Sequence, residues 1–165
     1  MRILRVMTDW FVVNARDARW VWNEMGGYCN FENGETRFEQ VGINLNVLHP
    51  GVPMAMYHEE PGQEGFLVLK GEALLIVEGQ ERPLNAWDFV HCPPHTKHVI
   101  LGAGDGPSLV LAVGARKGGA SYPIDETAVR LRRRGELPSR RPDRSRRPCV
   151  LRRRERLRDC RLHRG

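Results

Sequence analysis

Apolar and polar residues along this chain fall into short runs with the two-residue period of extended strands, cut at close intervals by glycine and proline. Over residues 37–48, Phe38, Val41, Ile43, Leu45 and Val47 carry the apolar positions, and Pro50-Gly51 ends the run. MAMYH, residues 54–58, predicts a short strand closed by the turn at Pro61-Gly62. The run GFLVLKGEALLIV from Gly65 to Val77 is broken at Gly71-Glu72 into two strands, and a turn over Glu78 to Glu81 follows. Trp87 to Cys92, His98 to Leu101 and Ser108 to Gly114 predict three more strands, separated by Pro93-Pro94 and by a glycine-rich turn over 102–107.

The flanks read differently. ILRVM at 3–7 and Trp10 to Val13 are short apolar pieces, and Asn14 is placed to cap a single helical turn before Gly26-Gly27. Trp20 and Trp22 share a face if that stretch is extended, either covering an open sheet edge or forming an aromatic wall for a ligand or subunit. A turn is expected at Asn33-Gly34, and a short helix capped by Asp125 within IDETAVRL. Many short strands, Gly/Pro turns and no βαβ spacing predict an all-β antiparallel sandwich or barrel.

Charge divides the chain in two. Residues 1–129 carry ten Lys+Arg and sixteen Asp+Glu, net −6, whereas residues 130–165 carry sixteen Arg and four acids, net +12. The overall +6 therefore says nothing of a nucleic-acid partner for the first part. The second part has no lysine and no aromatic residue, and charge of that density does not build a core. It reads as a nucleic-acid or membrane-surface arm, as a disordered appendage, or as the product of a wrong reading frame through GC-rich DNA. Cys29, Cys92, Cys149 and Cys160 lack metal-finger spacing, and no apolar segment has signal-peptide or transmembrane length. The expectation is a reduced, cytoplasmic protein with no membrane partner.

Candidate chemistry gathers between Met54 and His98. Parity puts Met56, His58 and Glu60 on one strand face, and Glu64 on one face with Phe66 and Val68. If His58 points inward, Glu64 meets it from the neighbouring strand and His98 from a later one. Two imidazoles and a carboxylate with open positions form a standard environment for iron, manganese or zinc. Cys92 reads as a small buried hydrophobe, His91 as a pocket group or a satisfied sheet histidine, and His95 as an exposed loop residue.

The stretch YHEEPGQEGFLVLKGEALLIVEG, together with WDFVHCPP and GAGDGP, resembles the cupin superfamily, within it the small single-domain bacterial cupins of unassigned substrate. Glu64 and Gly71 keep the spacing of the family's first motif and His58 matches its second histidine, while Pro93, His95 and His98 resemble the second motif. The resemblance covers about residues 14–128. It implies a double-stranded β-helix, or jelly-roll barrel, with short extensions, a homodimer, a small-molecule ligand, and a divalent metal (Fe, Mn or Zn) on His58, Glu64 and His98.

Three positions depart from the pattern. Met56 stands where the first histidine belongs, and a thioether is a poor ligand for a hard divalent ion. The His58–Glu64 spacing is one residue longer than the usual pattern, which keeps Gln63 and Glu60 as alternatives, with Met56, Tyr57 and His91 as further pocket groups. His95 replaces a turn glycine, which requires that its backbone avoid φ > 0. The expected function is a metal-binding cupin that binds, and in the enzymatic reading transforms, a small oxygen-bearing molecule. The alternatives are a non-catalytic binding or sensing module, and a nucleic-acid-associated protein acting through the arginine-rich tail.

Overall fold

The computed structural model describes residues 10–23, 26–32 and 37–133. Expectations for 3–7, for the turn at 33–34 and for 134–165 lie outside the described residues. Nine strands run β1 (Trp20–Asn23), β2 (Gly26–Asn30), β3 (Val41–Leu48), β4 (Glu64–Lys70), β5 (Glu72–Val77), β6 (Gln80–Leu84), β7 (Phe89–Cys92), β8 (His98–Ala103) and β9 (Ser108–Ala115), before helix α1 (Glu126–Arg133). They form a six-stranded sheet in the order β1-β2-β3-β9-β4-β7 and a three-stranded sheet in the order β6-β5-β8. All named strand pairs are antiparallel.

This is the all-β, two-sheet architecture that the alternation predicts, but among the described residues neither sheet closes into a barrel. Gly71 sends one apolar run into both sheets, β4 into the larger and β5 into the smaller. Its φ of 77° favours glycine, and an added Cβ would stand 2.9 Å from the Ser108 Cα.

The core lies between the sheets. Phe66 and Val68 of β4, Val110 and Ala112 of β9, and Leu48 of β3 pack against Ala73 and Leu75 of β5 and Ile100 of β8. The opposite parity of the small sheet is also covered: Ile76, Val99 and Leu101 pack with Tyr57 and with Ala128 of α1. The Ala128 N–H donates to Asp125 Oδ1, the expected cap, and the Thr127 hydroxyl donates to the Gly79 carbonyl. The helix runs through Arg133, across the composition break, and Arg130 pairs with Glu81 at 2.7 Å.

Two local expectations change. Residues 54–58 are not a strand. Their segment meets β8 through isolated bridges at Pro50, Pro53 and His58, because prolines without N–H groups interrupt the ladder. The strand expected from Trp87 begins at Phe89, since Trp87 itself turns at φ 76°. Near the N-terminus, Asn14 opens a turn and no helix: its carbonyl accepts from the Asp17 and Ala18 N–H groups. The Trp20 and Trp22 rings stack at 5.9 Å on the edge strand β1. Such a pair contributes about 1 kcal/mol beyond its burial.

Candidate metal centre

β4 and β8 face each other across the interlayer, and their strand starts place Glu64 and His98 on the inward parity with Phe66 and Ile100. His58 reaches the same point through a reciprocal backbone pair, its N–H donating to the His98 carbonyl at 3.1 Å and the His98 N–H returning at 2.8 Å. The side chains of His58, Glu64 and His98 each offer a ligand atom within 4.8 Å of the others. His98 Nε2 lies 3.3 Å and His58 Nε2 3.9 Å from Glu64 Oε2.

The backbone decides which nitrogens face inward. His58 Nδ1 lies 2.7 Å from the Met56 carbonyl and His98 Nδ1 2.9 Å from the Thr96 carbonyl. A carbonyl only accepts, so each Nδ1 carries a proton, and in its neutral form each ring presents an Nε2 lone pair to the shared space. Burial, and secondarily His58, lowers the His98 pKa against the opposing Thr96 bond, while burial and the nearby Glu60 carboxylate push Glu64 up to about 7. The 3.3 Å contact is therefore not an ordinary ion pair. His98 Nε2 is buried and has no hydrogen-bond partner among the described residues. Two lone pairs and a carboxylate converging on one buried point fit a divalent cation bound by nitrogen and oxygen.

The other singled-out residues fall elsewhere. Met56 lines the cavity beside His58, but its segment is not a strand, so no shared face with Glu60 exists. Glu60 accepts the His95 N–H on its carbonyl and stands behind Glu64; Gln63 is exposed and its carbonyl accepts from Ala115. Tyr57 turns away into the cluster under α1. His91 pairs with Gly65 on the outer parity of β7, exposed and beside a smaller surface cavity. Cys92 is 1 % exposed, and burial followed by Glu64 pushes its thiol up to about 11. His95 has φ 66°, so the turn does use the left-handed region that the motif glycine would occupy.

A cavity of about 430 Å³ opens from the cluster between the sheets. Its walls include residues that the sequence does not signal as functional. Asn44 and Asn46 of β3 face it, joined by a 2.6 Å bond from Asn46 Nδ2 to Asn44 Oδ1. Outside these walls, the Tyr122 ring centroid stands 6.2 Å from that of His58. The asparagines were hidden by their neighbours: Ile43, Leu45 and Val47 gave the strand its visible pattern, while the polar parity lines the cavity.

A family model described as a cupin domain matches residues 44–114. No curated protein matches the chain. Among solved structures, a proposed sugar phosphate isomerase of Acidithiobacillus ferrooxidans is 28% identical over 61% of this chain and 68% of that one, with a TM-score of 0.53. A sugar phosphate isomerase of Silicibacter pomeroyi is 24% identical over 59% and 64%, TM-score 0.53. The polyketide cyclase RemF of Streptomyces resistomycificus superposes with a TM-score of 0.63 at 11% identity, over 78% of this chain and 99% of that one.

Proposed function

This chain belongs to the cupin superfamily through residues 44–114, and we propose that it holds one divalent metal on His58, Glu64 and His98 and binds a small oxygen-bearing molecule beside it. The observation that carries the reading is the orientation of the two imidazoles. Each has its Nδ1 occupied by a carbonyl two residues back, which directs both Nε2 atoms at one carboxylate oxygen. A bound iron, manganese or zinc ion supplies Lewis-acid polarisation of a ligand oxygen.

The chain's own groups do the rest. Glu64 offers the negative charge that balances a cation, and its carboxyl gives up a proton when it does so. Met54 and Phe66 give the cavity an apolar lining that excludes water from one side. Met56 lies on the wall as a soft thioether, leaving three protein ligands and open positions for the small molecule. The 28% identical relative, described as a proposed sugar phosphate isomerase, supports a hydroxylated or carbonyl-bearing compound as the class to test.

Elemental analysis of purified protein tests the reading. Near-stoichiometric metal is expected in the wild type, falling by about two orders of magnitude in affinity for Glu64→Gln and for His98→Ala. A folded protein that takes up no metal refutes it, and leaves the non-catalytic binding module, to which the missing fourth ligand at Met56 lends support.

The same protein is read as a homodimer. Phe89 is 66% exposed on the outer face of the large sheet, where Leu67, Leu111 and Val113 surround the smaller cavity. Self-association joins like to like, which suits a face where Phe89, Leu67, Leu111 and Val113 outnumber the Glu64 and His91 that line the same cavity.

A further inference from the structure

Two asparagines line the cavity together with the histidines. Asn44 and Asn46 sit two residues apart on the inward parity of β3, in register with Ala112 and Val110 of β9. On its other side β9 pairs with β4, where Ala112 meets Phe66 and Gly114 meets Glu64. Asn44 and Glu64 are thus two strand spacings and two residues of rise apart, about 12 Å between Cα atoms. Their side chains approach across that span, which leaves room for a ligand the size of one sugar ring, in keeping with the cavity of about 430 Å³.

The amide pair is set for a partner. Asn46 is only 8% exposed, and a buried amide is costly unless its hydrogen bonds are made. Its Nδ2 donates to Asn44 Oδ1. Asn46 Oδ1 and Asn44 Nδ2 then carry no hydrogen bond to another described residue, so the pair presents one acceptor and one donor to the cavity. Charge points the same way. No lysine or arginine is among the described residues that line the cavity, and the ionisable side chains there are those of Tyr28, His58, Glu64 and His98. At the Asn44 end of the cavity, away from the proposed metal, a phosphate with its charge near −2 finds no lysine or arginine to pair with.

From these observations we infer that Asn44 and Asn46 form a specificity clamp for an uncharged ligand, one that offers a hydrogen-bond donor and acceptor on a single edge, as a vicinal diol or a carboxamide does. The inference rests on the cavity reading above and deepens it: the ligand reaches the metal centre with one oxygen and is chosen at its other end. It also separates this chain from a sugar-phosphate substrate, whatever its relatives act on.

Saturation-transfer NMR on the full chain, with D-fructose, D-glucose and nicotinamide as neutral probes and fructose 6-phosphate and glucose 6-phosphate as charged ones, tests this. At least one neutral probe is expected to bind, with the phosphates weaker by roughly tenfold or more. Asn46→Leu, which keeps the branched shape and removes both polar atoms, is expected to weaken the neutral probe by roughly tenfold, with unchanged metal content reporting an intact fold. Phosphates that bind as tightly as the neutral compounds, neutral binding that survives Asn46→Leu, or no neutral binding at millimolar concentration each overturn the inference. Repeating the titration on Glu64→Gln separates the two readings. Neutral binding that still depends on Asn46 in the Glu64→Gln variant leaves the clamp standing without the metal, whereas a folded wild type that takes up no metal removes the metal centre.

Discussion

His95 turns at φ 66°, with its N–H donating to the Glu60 carbonyl at 2.7 Å, and this bond fixes the loop that carries Thr96 and hence the His98 ring. A Cβ in the left-handed region costs about 1–2 kcal/mol, partly offset by the greater unfolded-state freedom of glycine. His95→Gly is accordingly expected to stabilise the protein by about 1 kcal/mol, read from the urea midpoint. The residue scale also shows what a sequence conceals. His58, Glu64 and His98 were legible as a group because each falls at the end of an apolar run, where side chains reach the open end of a sandwich. Asn44 and Asn46 were not, because alternation reveals that two faces exist and leaves open which one meets the cavity. The positive φ at His95 was equally hidden, since nothing local forbids histidine from the left-handed region.

At the scale of elements, the breaks were more legible than the pairings. Gly71 and Pro93-Pro94 end strands for reasons intrinsic to their backbones, and Asp125 caps α1 through its own side chain. The stretch 54–58 looked like a strand because its composition is apolar, yet prolines at 50 and 53 deny it a ladder. Packing sets a constraint on β2 that no propensity expresses. An added Cβ at Gly27 would stand 2.8 Å from the Trp22 ring, so the ring lies directly on the glycine backbone. Gly27→Ala is expected to destabilise by about 1–3 kcal/mol and to change the tryptophan emission as the ring lifts.

Glu32 ties the end of β2 to residues beyond β9. It accepts the Phe38 N–H at 3.0 Å and pairs with Arg116 at 2.6 Å. The Phe38 N–H foremost, then Asn30, Arg116 and Arg37, hold its carboxyl below the ordinary range against opposing desolvation. A depressed acid stabilises the fold above its unfolded pKa and loses that contribution as pH falls through the folded value. Glu32→Gln should therefore lower the urea midpoint at neutral pH, and the difference from the wild type should shrink as pH falls below the ordinary glutamate range.

For the whole molecule, the outer face of the large sheet bears on assembly. Phe89→Glu is expected to shift sedimentation from dimer to monomer while leaving metal content unchanged, because Phe89 lies on the parity opposite to Glu64. A monomeric wild type at micromolar concentration would remove the dimer. Two-sheet packing was foreseeable from short alternating strands, whereas the sheet order was not, since register depends on partners far away in the chain.

That distance has a consequence in time. The strand that carries Asn44 and Asn46 pairs on one side with β9, and Leu48 meets Ser108 about sixty residues later in the chain. At roughly 5–20 residues per second of synthesis, β3 waits about 3–12 s for that partner, with Ile43, Leu45 and Val47 along one side of a half-paired edge. The cavity wall is thus among the last features to take shape on the ribosome. Slower elongation prolongs the interval in which this strand is open to pairing with another nascent chain.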